Sequence, residues 1–332
     1  MKLVAFFQLK EVRWSLHEST LARWRARFPA LEVVSVEAVD DLPAALADAE
    51  VFVGWQLPPE YFAAARRLRW LHSASAGIEE CLFPVLVASE VVLTNSTGLH
   101  AVCIPEHVLG QMLVLARNFH EAQRVQQRAE WNRFAVISHA AGIRELSGSA
   151  LAILGAGPIG ANLARMAAGL GMRVRVMRRD AGRPVPGAEA VVGPERLHEL
   201  LGWADFVVLA VPLTAETRGL IGEAELRAMR SDACLINIAR GEVIDEEALV
   251  RCLRAGGLAG AALDVFNEEP LPATSPLWSL PNAVITPHLS GYTPAYFDKM
   301  LAIFEDNLAR YLEGRPLRNV VDKRLGYSRS EG

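Results

Sequence analysis

Short apolar runs alternate with helix-like stretches through about the first hundred residues of the chain. Each run has the length and composition of a strand, whereas the stretches PAALADA and PEYFAAARRL between them are typical of helices. This alternation predicts a parallel sheet whose strands are joined by helical crossovers. The runs read KLVAFF, LEVVSV, VFVGW, RWLHSA and VVLTNS.

The same alternation starts afresh near residue 150. Several of the new runs are uniformly apolar, as expected for strands of a sheet that is covered on both faces. The two sets together predict an α/β fold with two doubly wound parallel-sheet, Rossmann-like domains. The second set reads ALAIL, MRVRVM, DFVVLAV, ACLINIA, GAALDVF and AVITPH.

A long amphipathic stretch from about residue 104 to 130 lies between the two sets. Pro105 suits a first helical turn, so the stretch predicts one interdomain helix. The segment after residue 290 contains one helix-like run and no strand set of its own, which indicates that it packs back on the first domain. The first domain is therefore predicted to be discontinuous, with residues 1–103 and 291–332, and the second to span 104–290.

Composition narrows the classes of protein to consider. A chain of 332 residues, 51% of them hydrophobic, has room for two domains with their own cores. The formal net charge of -4 and the lack of a dense basic block argue against nucleic-acid binding. The apolar run at the start is too short for a signal peptide, and later apolar stretches are interrupted by charge, so we expect a cytoplasmic protein without membrane contact.

Cysteine and histidine spacing gives no indication of a metal site. The four cysteines are scattered and form no Cys-x-x-Cys pair, and the eight histidines have no ligand-like spacing. We therefore predict no bound metal.

A glycine-rich turn follows the first strand of the second set. Gly155, Gly157 and Gly160 form a G-x-G-x-x-G pattern, with Pro158 and Ile159 opening the predicted helix. Gly155 permits a tight turn, Gly157 leaves space for a pyrophosphate, and Gly160 lets the helix lie close to the strand. The helix N-terminus offers unpaired N–H groups to a phosphate. A turn that only packs is the alternative, but the flanking strand and helix are the context that a dinucleotide-binding motif requires.

The second strand of such a unit ends in a residue that faces the adenosine ribose, about 20 residues beyond the glycines. Arg178 stands there (178 − 160 = 18), with Arg179 beside it. A guanidinium offers paired donors to a 2′-phosphate, which favours NADP. Asp180 is close enough to be a ribose ligand instead, which would favour NAD, and a solvated strand end is a third interpretation.

Three polar residues stand near the ends of later predicted strands: Arg240, Glu269 and His288. This set is what reduction of a 2-keto acid needs. Arg240 can bind a carboxylate and polarise the adjacent carbonyl, His288 can deliver a proton, and Glu269 can hold the imidazole in its protonated form. Taken singly, each residue could instead be a surface cation, a turn acid or a structural histidine.

Over almost its whole length the chain resembles the D-isomer-specific 2-hydroxyacid dehydrogenase family. The resemblance rests on NSTG, PEHVLGQMLVLARN, LAILGAGPIG, VPLT, NIARGEVIDEEAL, GAALDVFNEEPLP and PLWSLPNAVITPHLSG, which occur in the family's order. It implies a substrate domain in 1–103 and 291–332, a dinucleotide-binding domain in 104–290, a homodimer, and Arg240, Glu269 and His288 as the catalytic set.

The resemblance also implies further ligands. The small-residue loop Ser75, Ala76 and Gly77 matches the loop that binds the substrate carboxylate together with Arg240, although a plain strand-to-helix turn would look alike. Asp264 matches the residue that holds the nicotinamide carboxamide, but an aspartate there could simply cap a turn. The implied cofactor-binding set comprises Gly155, Gly157, Pro158, Ile159, Gly160, Arg178, Arg179, Val211, Pro212, Thr217, Ile238, Ala239, Arg240, Asp264, His288 and Gly291.

The arginine pair at 178 and 179 resembles the family branch of NADPH-dependent glyoxylate and hydroxypyruvate reductases. The leading hypothesis is therefore an NADP(H)-dependent reductase of small 2-keto acids such as glyoxylate or hydroxypyruvate. The second is an NAD-dependent dehydrogenase that acts on another acid, of the lactate or phosphoglycerate type. A third, from a different class, is a nonenzymatic binding protein of the same fold that senses NAD(P).

Overall fold

The computed structural model describes residues 1–8 and 16–328. The chain forms two compact units, one comprising Met1–Leu99 and Pro294–Gly332 and the other His100–Thr293. The boundaries expected from the sequence stand a few residues away, at 103/104 and 290/291. The substrate and dinucleotide roles given to the two parts remain predictions.

The first unit contains a parallel sheet in which the strands lie in the order Glu32–Val36, Lys2–Phe6, Val51–Gly54, Trp70–Ser73 and Val92–Thr94. Strand-length apolar runs form the sheet as predicted, but PEYFAAARRL forms a 3-10 helix over Pro59–Ala64 rather than an α-helix. In chain order the elements are β1 (Lys2–Phe6), α1 (Glu18–Arg27), β2 (Glu32–Val36), α2 (Leu42–Leu46), β3 (Val51–Gly54), β4 (Trp70–Ser73), α3 (Pro84–Ala88) and β5 (Val92–Thr94).

The second unit contains a parallel sheet in which the strands lie in the order Ala283–Ile285, Gly260–Leu263, Cys234–Asn237, Phe206–Leu209, Ala150–Leu154, Arg173–Met177 and Ala190–Val192. Its elements are α4 (Cys103–Ala116), α5 (Phe119–Gln127), α6 (Arg133–Ile137), β6 (Ala150–Leu154), α7 (Pro158–Gly169), β7 (Arg173–Met177), β8 (Ala190–Val192), α8 (Leu197–Trp203), β9 (Phe206–Leu209), α9 (Glu223–Ala228), β10 (Cys234–Asn237), α10 (Glu246–Arg254), β11 (Gly260–Leu263) and β12 (Ala283–Ile285).

The C-terminal segment contributes α11 (Tyr296–Leu312) and the short antiparallel pair β13 (Val321–Asp322) and β14 (Tyr327–Ser328) to the first unit. The Phe304 ring on α11 lies 5.3 Å, centroid to centroid, from both Trp24 and Trp70. Burial of such aromatic side chains contributes about 1.5–3 kcal/mol each to folding. The segment is thus part of the first unit's core.

Both faces of the second sheet are buried, which explains its uniformly apolar strands. Along β6, Leu151 and Ile153 pack into one cluster of buried side chains, and Ala152 and Leu154 pack into another on the opposite face. Side chains alternate between the faces of a strand, so every position of a doubly covered strand is apolar. The prediction of two parallel-sheet α/β domains is confirmed.

The interdomain helix predicted over about 104–130 is wrong in its length. The structure divides it into α4 and α5, because Asn118 takes a left-handed conformation with φ of 52°. The Asn118 amide donates to the carbonyl oxygens of Val136 (2.9 Å) and His139 (3.0 Å), which holds the break in place. Asparagine tolerates this conformation better than most residues, and no glycine or proline marks the break.

The described residues contain neither a metal-binding cluster nor a membrane-spanning helix. Across 1–8 and 16–328, no cluster of three or more His, Cys, Asp or Glu side chains has the geometry of a metal site. In the same ranges, no helix combines the length and the apolarity needed to cross a bilayer.

Candidate active site

The glycine turn lies between β6 and α7, and its backbone geometry requires glycine at two positions. Gly155 has φ of 112°, and a Cβ there would stand 2.3 Å from the Ala210 carbonyl oxygen. A Cβ on Gly160 would stand 2.0 Å from the Gly155 carbonyl oxygen. Both positions therefore exclude larger residues, as predicted from the sequence.

Gly157 differs from its two neighbours because it faces open space. No described atom lies within 4 Å of the point where its Cβ would stand. It is the N-cap of α7, and Pro158 and Ile159 begin that helix, so unpaired N–H groups surround this opening. An open glycine at a helix N-terminus fits the pyrophosphate of a dinucleotide.

The carboxyl end of β7 carries the residues expected to read the ribose. The β7 strand ends at Met177, whose carbonyl oxygen accepts from the Gly155 N–H at 2.9 Å, so the residues that follow stand beside the glycine turn. Arg178 is half-buried and Arg179 is exposed and paired with Glu216. Asp180 is exposed, and its Oδ1 accepts from the Gly182 N–H at 3.2 Å, so this carboxylate is already bound within its own turn.

Glu269 and His288 meet in the structure. The Nδ1 atom of His288 lies 2.6 Å from Glu269 Oε2, and Glu269 Oε1 accepts from the Phe266 N–H at 2.9 Å. The hydrogen bond to Glu269 raises the pKa of His288, against the opposing effect of burial. Burial raises the pKa of Glu269, but hydrogen bonds from His288 and Phe266 and the charge of Arg240 outweigh it, so the net shift is downward.

This pairing leaves His288 able to act as an acid. With Nδ1 engaged by Glu269, Nε2 is the ring atom available to a substrate, and the His288 side chain is 50% exposed. A positioned imidazole with a raised pKa and an accessible nitrogen is the arrangement that general acid catalysis needs.

Arg240 follows β10 and sits at the start of a 3-10 turn. Its backbone oxygen accepts from the Asn237 amide at 2.9 Å, and its Nη1 donates to the Ala239 carbonyl oxygen at 2.7 Å. Its positive charge influences the pKa values of both Glu269 and His288, so the predicted catalytic residues are close enough to interact. A guanidinium in this position can bind an anionic carboxylate.

Asp264 directly follows β11 and is fully buried. Its Oδ1 accepts from the Thr286 hydroxyl at 2.6 Å and from the Leu289 N–H at 3.0 Å, and its Oδ2 accepts from the Ser290 N–H at 3.0 Å. Burial raises the pKa of Asp264, but these hydrogen bonds lower it by more. The net shift of the pKa is therefore downward, and Asp264 is a carboxylate. Its predicted contact with a nicotinamide remains a prediction.

The other predicted cofactor residues also follow strands of this sheet. Since all strands of the sheet are parallel, their carboxyl ends share one edge, where doubly wound folds bind their ligands. The loop after β9 carries three of these residues, and the Thr217 hydroxyl closes it by donating to the Pro212 carbonyl oxygen at 2.6 Å. The residues along this edge are Val211, Pro212, Thr217, Ile238, Ala239 and Gly291.

The predicted substrate loop belongs to the first unit and follows β4. Its carbonyl oxygens are engaged: Ser75 accepts from the Ser96 N–H at 3.0 Å, and Ala76 accepts from the Asn95 amide at 2.7 Å. Within the described residues, no acceptor is found for the N–H groups of Ala76 and Gly77. Such N–H groups can bind an anion, which is compatible with the predicted role.

Sequence reasoning missed a set of residues behind the His288 loop. His107 and Gln111, one turn apart on α4, both place a side-chain nitrogen 3.3 Å from the Thr286 hydroxyl. Their spacing puts them on one face of the helix, and Thr286 lies just beyond β12, as other site residues lie just beyond their strands. The sequence therefore shows the helical spacing of His107 and Gln111 and the position of Thr286 after a strand. It does not show that Thr286 contacts this face of the helix.

The second unit matches the model of a known protein family. Residues 109–290 match the family model for D-isomer specific 2-hydroxyacid dehydrogenase, NAD binding domain. The chain is also 32% identical to a glyoxylate reductase of Korarchaeum cryptofilum over 316 residues, which cover 93% of this chain and 91% of that protein.

Two solved structures are similar over nearly their whole length. One is an NADPH-dependent glyoxylate/hydroxypyruvate reductase from Sinorhizobium meliloti in complex with NADP and sulfate, with a TM-score of 0.83, 27% identity, and coverage of 98% of this chain and 99% of that one. The other is a D-isomer specific 2-hydroxyacid dehydrogenase from Xanthobacter autotrophicus in complex with NADPH and MES, with a TM-score of 0.82, 29% identity, and coverage of 98% and 99%.

Proposed function

The chain belongs to the D-isomer specific 2-hydroxyacid dehydrogenase family, as its motifs predicted, and we propose that it reduces small 2-keto acids, glyoxylate or hydroxypyruvate, with NADPH. The observation that carries this proposal is the Glu269–His288 pair at 2.6 Å with Arg240 close enough to affect both pKa values. This set can bind an anionic keto acid and protonate its carbonyl oxygen.

The glycine turn and Arg178 would hold the cofactor, whose reduced nicotinamide would supply the hydride for the carbonyl carbon of the substrate. Arg240 binds the substrate carboxylate and stabilises negative charge on the adjacent oxygen. His288 donates the proton on Nε2 to that oxygen, which becomes the hydroxyl of the 2-hydroxy acid, and Glu269 stabilises the imidazolium before the transfer. In the oxidative direction, the neutral His288 takes the same proton back.

NADP is favoured over NAD by the residues after β7. Arg178 stands at the strand end as a half-buried cation, whereas the Asp180 carboxylate accepts from the backbone of its own turn. A guanidinium binds a 2′-phosphate, and an aspartate in that place would repel it. The relatives from Sinorhizobium meliloti and Xanthobacter autotrophicus, which bind NADP and NADPH, support this choice.

An absorbance assay of the purified protein tests the proposed reaction. The purified protein is given NADPH or NADH with glyoxylate, hydroxypyruvate and a panel of other 2-keto acids, and nicotinamide absorbance is followed. We expect NADPH consumption with the two small keto acids, and its absence with every acid would refute the proposed reaction.

Arg178→Gln should raise KM for NADPH at least tenfold and leave KM for NADH nearly unchanged, because only NADPH carries the 2′-phosphate. Arg183→Gln removes an exposed arginine from the same turn and is the matched control. An unchanged preference in Arg178→Gln would refute the NADP assignment.

We also propose that the protein is a homodimer that uses the surface of α5 and α6. Phe119, Trp131, Phe134 and Ile137 are all exposed there, and Trp131 is 99% exposed. Exposed apolar groups gathered in one segment mark an interaction surface. A twofold axis would let the same segment of both copies cover itself.

A further inference from the structure

A hydrogen-bonded network lies behind the His288 loop, and the proposed chemistry does not itself use it. It consists of His107 and Gln111 on α4 and of Thr286, and we call these three residues the Thr286 network. Gln111 Nε2 and His107 Nε2 each lie 3.3 Å from Thr286 Oγ1, and this oxygen lies 2.6 Å from Asp264 Oδ1. All of these residues belong to the second unit.

The direction of each hydrogen bond follows from the chemistry of a hydroxyl, which has one proton and two lone pairs. Asp264 is a carboxylate and can only accept, so the Thr286 proton is donated to it. Thr286 Oγ1 then accepts from the Gln111 amide and from His107, which must carry a proton on Nε2. Both lone pairs and the proton of Thr286 are used, so its hydroxyl has a single orientation.

Asp264 connects this fixed hydroxyl to His288 and to the two residues that follow it. Its carboxylate accepts from the N–H groups of Leu289 and Ser290, and its backbone oxygen accepts from the His288 N–H at 2.8 Å. His288 has φ of 48°, a conformation that few residues other than glycine adopt and that surrounding contacts must maintain. The His288 N–H also lies 3.0 Å from the Thr286 carbonyl oxygen, so the contacts that maintain this conformation come from Asp264 and Thr286.

We propose that His107 and Gln111 are positioning residues that act on His288 through Thr286 and Asp264. They fix the Thr286 hydroxyl, the hydroxyl fixes the Asp264 carboxylate, and the carboxylate holds the loop in which His288 meets Glu269. This inference rests on the proposed role of His288 as the acid, and it assigns a catalytic contribution to a helix that carries none of the predicted catalytic residues.

Four variants test the network. Thr286→Val removes the hydroxyl with little change of volume, Thr286→Ser keeps it, and Gln111→Met removes one donor. Thr274→Val makes the same replacement at an exposed threonine outside this network. We expect kcat to fall roughly tenfold in Thr286→Val and less in Gln111→Met, with nearly full activity in Thr286→Ser and Thr274→Val.

Combining the changes separates a chain of contacts from independent effects. If Gln111 acts through Thr286, the double variant Gln111→Met/Thr286→Val should be no slower than Thr286→Val alone. Losses that multiply would refute the inference, as would an equal loss in Thr286→Ser and Thr286→Val. A loss that appears in the dissociation constant of the cofactor, with kcat unchanged, would assign the network to cofactor binding and refute it as well.

A second readout needs no substrate and therefore separates this inference from the proposed reaction. The pKa of His288 is measured by NMR titration of the imidazole, with His288→Asn identifying its signal. In Thr286→Val the ring is expected to lose its alignment with Glu269, so the pKa of His288 should fall, while Thr286→Ser should keep it. An unchanged pKa in Thr286→Val would refute the inference even if the wild-type protein reduces no keto acid.

Discussion

His288 combines a partly exposed imidazole with a firmly held backbone. Its side chain is half exposed, yet its N–H and both residues that follow it are bound by Asp264. A catalytic acid needs this combination, because the ring must reach the substrate while its direction stays fixed. The φ of 48° is uncommon for a residue other than glycine, and the hydrogen bonds to Asp264 hold the loop in this conformation.

The pH dependence of reduction should follow the protonation of His288. The hydrogen bond to Glu269 raises the pKa of His288, so the active, protonated form persists to higher pH than it would for a free imidazole. The rate of reduction should be highest at low pH and fall as pH rises through this pKa. Glu269→Gln removes the negative charge and should move the falling limb of kcat/KM to lower pH.

Initial rates measured across a pH series for both proteins check this expectation. Glu268→Gln neutralises the neighbouring carboxylate, which lies outside the pair, and should leave the limb in place. If the limb stays at the same pH in Glu269→Gln, His288 does not owe its protonation to this carboxylate.

His72 gives the first unit a different dependence on pH. It is fully buried between Thr94 and Ser96, and burial lowers the pKa of His72 to about 3. The unfolded chain, with a pKa near 6.5, then binds a proton that the folded chain excludes, so the free energy of unfolding falls as pH drops below that value. The fall should approach about 1.4 kcal/mol per pH unit.

The variant His72→Gln keeps hydrogen-bonding groups at this position but removes the titration. Urea unfolding between pH 7 and pH 4.5 should show a smaller loss of stability with acid in the variant than in the wild type. Parallel curves for the two proteins would mean that His72 does not titrate on unfolding.

At the scale of elements, the glycine turn separates a folding requirement from a binding requirement. An alanine Cβ at position 160 would meet the Gly155 carbonyl oxygen at 2.0 Å, whereas one at 157 would meet no described atom within 4 Å. Gly160→Ala should therefore lower the melting temperature by several degrees. Gly157→Ala should fold as the wild type does but bind NADPH more weakly, because its methyl group occupies the space predicted for the pyrophosphate.

Differential scanning fluorimetry and a fluorescence titration with NADPH distinguish the two effects. Gly169→Ala, at the other end of α7, also has open space and is the matched control for both measurements. Equal cofactor affinity in Gly157→Ala and the wild type would place the pyrophosphate elsewhere.

How much could be predicted depended on the range of the interactions involved. The glycine turn and the β6 strand are specified by adjacent residues, so their pattern predicts them. The break at Asn118 and the short β8 strand (Ala190–Val192) were missed, because the first depends on carbonyl groups of Val136 and His139 and the second is only three residues long. The Gln111–Thr286 contact joins residues 175 positions apart, and a local pattern has no information on such a pair.

At the scale of the whole molecule, the composition predicts only that the chain can form two hydrophobic cores and has no strong net charge. The chain distributes its chemistry unevenly: the glycine turn, Arg178 and the predicted catalytic residues all belong to the unit of residues 100–293. The other unit contains the loop of Ser75, Ala76 and Gly77, whose role in substrate binding remains a prediction. A strand-end edge can collect residues from distant parts of the sequence because parallel strands all finish on the same side.

The exposed apolar surface of α5 and α6 predicts that two copies of the chain associate through it. Trp131 and Phe134 are 99% and 69% exposed, and exposure of these apolar side chains to water does not stabilise an isolated chain. The double variant Trp131→Glu/Phe134→Glu should sediment as a monomer at micromolar concentration where the wild type sediments as a dimer, since two charges per copy would be buried at a twofold contact. Trp278→Glu, at an exposed tryptophan outside this surface, should leave the dimer intact. A wild-type monomer, or a double variant that remains a dimer, would show that this surface does not join two copies.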